Sequence, residues 1–154
     1  MLQTTRSEPN KILLVEDNPG DVRLLQIAME DFGFDVDLLV ACDGDAANEF
    51  IRSYKESCCR IALVILDLNL PKKNGLELLA EWKRTDDFKA TPVLVLTSSQ
   101  DPNDVANSHR LGASTYLCKP DDIEGYRALI SVIHEFWLKS VVSPGDIGFQ
   151  PVKT

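Results

Sequence analysis

Four apolar runs in this chain each end in a group that can handle a metal ion or a phosphoryl group. Ile12-Leu13-Leu14-Val15 ends in Glu16-Asp17, and the run from Ile61 to Leu66 ends in Asp67. Val93-Leu94-Val95-Leu96 ends in Thr97-Ser98, and Tyr116-Leu117-Cys118 ends in Lys119-Pro120. In an open parallel sheet the carboxyl ends of the strands gather at one crevice, and ligands bind there. Three carboxylates, a hydroxyl and an ammonium group, distant in sequence, would then meet. Two like charges 4 Å apart repel by about 4 kcal/mol at an effective dielectric near 20, so three crowded carboxylates call for a cation. A hard divalent ion with oxygen ligands answers this, and Mg²⁺ typically keeps several waters beside one or two carboxylates. Asp17 and Asp67 are the expected direct ligands, with Glu16 acting through water.

The elements that must position these groups can be read from the pattern. Strand-like and helix-like segments alternate five times. The strand candidates are Lys11 to Val15, Asp35 to Cys42, Ile61 to Leu66, a run opened by Thr91-Pro92, and Ser114 to Cys118. Short branched-aliphatic runs suit strands buried on both faces. Helices are expected from Pro19 to Gly33, Gly44 to Ser57, Asn74-Gly75 onward with Leu76, Leu79 and Trp82 inward, Pro102 to Leu111, and Asp121 to Lys139. Proline favours a first helical turn and glycine a helix end. Right-handed crossovers with helices on both faces lead to an α/β fold, a (βα)5 flavodoxin-like doubly wound parallel sheet of strand order 2-1-3-4-5. That order sets Glu16-Asp17 beside Asp67.

Bulk properties exclude several functions. The 154 residues are enough for one domain with a core, and 44% hydrophobic with 26% charged residues is ordinary for a globular protein. No apolar stretch approaches the roughly 18 residues of a membrane helix, and the polar start has no apolar signal segment. A cytoplasmic protein with no membrane partner is expected. The net charge of −8 and the lack of a basic cluster argue against nucleic acid. Cys42, Cys58, Cys59 and Cys118 form no C-x-x-C pair, so reduced thiols are expected rather than a zinc site.

Glu16-Asp17, Asp67, Thr97, Tyr116 and Lys119-Pro120, in this order and at these strand ends, resemble the response-regulator receiver domain of two-component systems. The resemblance covers residues 10–140, with 1–9 as a flexible N-terminus and 141–154 as a C-terminal tail. Glu16-Asp17-Asn18-Pro19-Gly20-Asp21, Asp67-Leu68-Asn69-Leu70-Pro71 and Glu135-Phe136-Trp137 are similar to the single-domain regulators of bacterial and cyanobacterial phytochrome kinases. The resemblance implies that Asp67 accepts a phosphoryl group from a histidine kinase, with the Asn69 backbone carbonyl as a further metal ligand and a cis bond at Lys119-Pro120. A carboxylate can form an acyl phosphate, and its transfer needs positioning and charge neutralisation. Lys119 would supply part of that neutralisation, and the Thr97 hydroxyl would donate to a phosphoryl oxygen. It further implies a switch in which Thr97 moves, Tyr116 turns inward, and the face of the fourth helix, fifth strand and fifth helix is remodelled. Asn69 and Ser99 would tune water access.

Each residue also has an ordinary reading. Glu16-Asp17 can cap a helix, Asp67 and Thr97-Ser98 can be turn residues, Tyr116 a packed aromatic, and Lys119 a solvated surface lysine. Nothing structural requires all of them at one sheet edge. His109 and His134 are expected to be packing or surface residues. The last helix carries apolar residues on a wide arc. With Leu129, Val132, Ile133 and Phe136 facing the sheet, the surplus Tyr126, Ile130, Trp137 and Val141 would form a homodimer surface. The chain is read as a switch rather than an enzyme, with no output segment after the receiver, so that its output would be a protein contact. A haloacid-dehalogenase-type phosphatase using Asp67 is the enzyme alternative, but Asn69 stands where that chemistry needs a second carboxylate. A flavin-binding protein lacks its phosphate loop here.

Overall fold

The computed structural model describes residues 10–55, 60–86 and 88–141, the last two and residue 55 without their side chains. The order is β1 (Asn10–Val15), α1 (Pro19–Phe32), β2 (Leu38–Ala41), α2 (Gly44–Lys55), β3 (Arg60–Leu66), α3 (Gly75–Lys83), β4 (Val93–Thr97), α4 (Pro102–Arg110), β5 (Thr115–Cys118) and α5 (Ile123–Val141). The five strands are parallel in the order β2-β1-β3-β4-β5, as the alternation predicts. Side chains alternate across the sheet. Ile12 and Leu14 face one core with Leu25, Met29, Ile130 and Ile133, while Leu13 and Val15 face the other with Leu78, Leu79 and Trp82.

The register aligns the ends that matter. Val15 pairs with Leu66, and Leu66 with Val95. Backbone bonds continue one residue past the strands: Glu16 N–H donates to the Ala41 carbonyl, Asp67 N–H to Val15, and Lys119 N–H to Thr97, at 2.9–3.1 Å. These three residues therefore leave the sheet from fixed backbone positions.

Several expectations need correction. β2 is shorter than Asp35 to Cys42. It is an edge strand, and its exposed Asp37 is drawn to Lys11 at 2.5 Å. In α3 the buried residues are Leu78, Leu79 and Trp82, while Leu76 is half-buried. The largest correction concerns α5. Tyr126, Ile130 and Trp137, expected as a dimer surface, are interior at 1%, 1% and 8% exposure. With Ile133 they form a stripe at spacings of four, three and four, which wedges between α1 and the sheet. Val132, expected inward, is exposed. The helix is rotated relative to the expected face because the larger aromatics bury more apolar area. Trp137 meets the Phe34 ring at a tilt, centroids 6.0 Å apart, and His134 meets the same ring edge-on at 4.8 Å. The Val141 side chain, Cys58, Cys59 and the expected N-terminal and tail segments lie outside the described residues. Cys42 and Cys118 are free.

One glycine ties the fold to the site. A Cβ on Gly75 would lie 2.6 Å from the Asp67 carbonyl oxygen and 2.7 Å from Leu68 Cα. The start of α3 thus packs directly on the backbone that carries Asp67. Gly75→Ala is expected to lower stability by about 1–3 kcal/mol in urea unfolding, because the obstruction is backbone and not a flexible side chain. A neutral or stabilising effect would contradict that packing.

Candidate functional site

The carboxyl edge of the sheet holds an open cleft of about 420 Å³, lined by Glu16, Asp17, Asn18, Pro19, Asp21, Asp67, Asn69, Ser98 and Lys119. Its centre is the Lys119 ammonium. Nζ donates to Asp67 Oδ2 at 2.8 Å and to Asp21 Oδ2 at 2.7 Å, and lies 2.8 Å from Glu16 Oε1. An ammonium has three donors, and three carboxylates match them. Lys119, Glu16 and Asp67 are buried to a tenth exposure or less at the side chain. The described residues contain no cis peptide, so Lys119 reaches inward from an ordinary trans bond to Pro120, contrary to the expectation from resemblance. The trans form is lower by about 0.5–1 kcal/mol before proline, and nothing here overrides it.

Helix α1 builds one wall. Its N-cap is Asn18, whose side chain accepts from the Gly20 and Asp21 N–H groups at 2.8 and 3.1 Å. The capping role that Glu16-Asp17 could have filled therefore falls to Asn18. Glu16 Oε2 instead accepts the Asn18 N–H at 3.1 Å. On the other wall, Asp67 Oδ1 accepts the Asn69 N–H at 3.0 Å, which fixes the carboxylate plane. Asn69 Nδ2 donates to the buried Thr97 Oγ1 at 3.4 Å. The Tyr116 hydroxyl donates to the Ser99 carbonyl at 2.8 Å, and burial raises its pKa.

The electrostatics follow from burial. Desolvation raises the Glu16 carboxyl, the Lys119 hydrogen bond opposes this and the Asp67 charge adds to it, leaving Glu16 pushed up to about 7. Burial acts to lower Lys119, but its bonds to Asp21, Asp67 and Glu16 outweigh it and hold the ammonium above its ordinary range. A cation is the natural relief for the crowded acids. One oxygen each of Glu16, Asp17 and Asp67 lies within 4.8 Å of the others, a hard-oxygen donor set that fits a divalent ion.

The structure thus brings together Glu16, Asp17, Asp67 and Lys119, with Asn69 and Thr97 adjoining. Sequence reasoning missed the contact of Asp21 with Lys119. An Asp in the first turn of a helix that starts at the same crevice is the signal that points to it. It also missed that Tyr126 is a buried neighbour of these charges. Burial, with the Asp21 charge next, pushes the Tyr126 phenol up to about 12.

Comparison with known proteins accords with this arrangement. Residues 12–131 match the response regulator receiver domain family, and the chain belongs to it. Response regulator Rcp1 of Synechocystis sp. is 41% identical over 138 residues, covering 88% of this chain and 94% of that protein. The crystal structure of its Mn²⁺-bound form superposes with a TM-score of 0.75 over 86% of this chain and 97% of that one. The phosphorylated cyanobacterial phytochrome response regulator RcpA has a TM-score of 0.78 at 35% identity, covering 90% of this chain and 99% of that one. The bacteriophytochrome response regulator AtBRR has a TM-score of 0.66 at 32% identity, covering 96% and 99%. Regulators with this domain are generally signalling switches rather than enzymes.

The raised Glu16 pKa gives a signed expectation. A carboxyl whose folded pKa exceeds its unfolded value of 4.5 stabilises the fold below 4.5, and that contribution is lost as pH rises to about 7. In EDTA, wild-type stability relative to Glu16→Gln should fall by on the order of 1–3 kcal/mol across that window in urea titrations. Mn²⁺ affinity should rise over the same window, because ligation needs the deprotonated carboxylate. A stability difference that grew with pH would contradict the assignment.

Proposed function

We propose that this chain is a phosphoacceptor switch in which Asp67 takes a phosphoryl group from a phosphohistidine on a partner kinase. The observation that carries the reading is the Lys119 ammonium, 2.8 Å from Asp67 Oδ2, facing a three-carboxylate group that includes the same Asp67. A carboxylate oxygen of Asp67 would attack phosphorus as the phosphorus–nitrogen bond of the donor breaks and its electron pair returns to the imidazole. Lys119 would neutralise charge on the equatorial oxygens, and Thr97 would donate to one of them. Glu16, Asp17, Asp67 and the Asn69 carbonyl would hold Mg²⁺, which when bound offsets the negative charge of acceptor and phosphoryl group.

The kinase is proposed to be of the phytochrome type, supported by the likeness to RcpA, a phytochrome response regulator, and AtBRR, a bacteriophytochrome response regulator, over nearly the whole of those proteins. The signal would leave through α4, β5 and α5. The Thr97 and Tyr116 hydroxyls sit on either side of Ser99, on the loop that leads into α4. Two or three charge-assisted bonds at about 1.5–3 kcal/mol each supply the roughly 5.5 kcal/mol needed to invert a 1:99 equilibrium. The setting is proposed to be cytoplasmic. Among the described residues no helix is long and apolar enough to cross a membrane. The phosphatase alternative is not favoured, since Asn69 offers no acid/base carboxylate.

Incubation with phosphoramidate and Mg²⁺ should add one phosphoryl group, read by intact mass, and EDTA should prevent it. Asp67→Asn should remain unlabelled. Thr97→Ala should still label but lose the accompanying amide shifts in α4 and β5. Normal labelling of Asp67→Asn would remove Asp67 as the acceptor.

A further inference from the structure

Lys119 is bound by one carboxylate more than the proposed chemistry calls for. Of its three acceptors, Glu16 and Asp67 also belong to the group suited to a divalent cation, and Asp21 does not. When a cation neutralises Glu16 and Asp67, the ammonium loses attraction on that side and gains repulsion from the ion. Asp21 is then the counter-charge left to it.

We propose that Asp21 is a positioning residue for Lys119: its carboxylate draws the ammonium to the α1 side of the cleft, so that ammonium and cation share the pocket without contesting the same oxygens. The inference rests on the phosphoacceptor reading of Asp67 and deepens it. Asp21 is placed for this task. Its own N–H is fixed by the Asn18 cap, in the first turn of a helix that begins at the cleft, and its Oδ2 meets Nζ at 2.7 Å. Its side chain is partly exposed, at the cleft mouth, whereas Glu16 and Asp67 lie at the floor. Behind them the Tyr126 hydroxyl is buried and has no hydrogen-bond partner among the described residues. Among the described residues, Lys119 is the cation that pairs with the Asp21 carboxylate. An ammonium tethered at the mouth has one donor anchored and two free to turn onto an incoming phosphoryl group. Orientation of this kind enters the rate at the transfer step rather than in donor binding.

The test uses the full chain with phosphoramidate at saturating Mg²⁺. Asp21→Asn, which keeps the shape of the side chain, and Asp21→Ala are compared with wild type, with Lys119→Ala and with the double variants. Both Asp21 variants should slow the maximal phosphorylation rate about tenfold with little change in donor KM, and should add no further loss to Lys119→Ala. A second readout needs neither metal nor donor. The Lys119 side-chain ammonium should give a slowly exchanging ¹⁵N–¹H signal in the metal-free wild type, assigned by its loss in Lys119→Ala. In Asp21→Asn that signal should shift and exchange faster with water, since Glu16 and Asp67 still hold two of the three donors. A rate within twofold of wild type, or a loss that multiplies that of Lys119→Ala, would overturn the proposal. If the wild type itself takes no phosphoryl group on Asp67, the functional reading fails instead. That result is distinguishable, because wild type and Asp67→Asn would then be alike while the ammonium signal still reports the Asp21 contact.

Discussion

A single ammonium group closes the carboxyl edge of this sheet. Lys119 leaves β5, crosses the mouth of the fold, and bonds to Asp67 after β3, to Glu16 after β1 and to Asp21 in α1. Four elements, from three separated stretches of the chain, meet at one Nζ atom. Three acids at that distance would repel strongly without it, and a buried ammonium would be costly without them. The pocket sets one ammonium against three carboxylates, so it stays acidic, and any charged ligand that enters must redistribute those contacts. On the proposed function this would make the site responsive, since a cation would compete with the ammonium for oxygens and a phosphoryl group would offer the ammonium new ones.

The fold serves that interaction by fixing backbones and leaving side chains free to exchange partners. The backbone bonds at Glu16, Asp67 and Lys119 extend the ladder past the last strand residue. Gly75 lets α3 sit directly on the segment behind Asp67. The Asn18 cap sets the angle of α1 and hence of Asp21. By contrast, Thr97 is held by a long bond from Asn69, and Tyr116 by one carbonyl on a loop. A carboxylate on a fixed backbone beside hydroxyls that hold only one or two bonds suits the proposed switch, because a few new bonds would suffice to move them.

Much of this is legible in the sequence because strand ends are marked twice, by the stop of an apolar run and by a charged residue. Asp67 and Lys119 stand out for that reason, and the strand order 2-1-3-4-5 satisfies both right-handed crossovers and helix cover on two faces. Helix faces are marked less clearly. In α5 the stripe of Leu129, Ile133 and Phe136 and the stripe of Tyr126, Ile130, Ile133 and Trp137 interleave. Periodicity cannot choose between them, since the choice depends on how α1, remote in sequence, fills the space beside the sheet. The burial of Trp137 is settled by Phe34 and not by any local signal. Asp21 is obscured for a similar reason: its contact depends on the angle at which α1 leaves its cap. The trans bond at Lys119-Pro120 marks the limit of carrying a family feature over without the geometry that enforces it.

The most direct measurement of the central claim is a crystal structure of the full chain grown with Mg²⁺ and beryllofluoride, a mimic of the phosphoryl group. The geometry predicts the adduct on an Asp67 oxygen, the ion bridging it to Asp17, and the Lys119 ammonium turned from the Asp67 carboxylate onto a fluorine. An adduct or ion found away from Asp67, with Lys119 still closed on its three carboxylates, would contradict it.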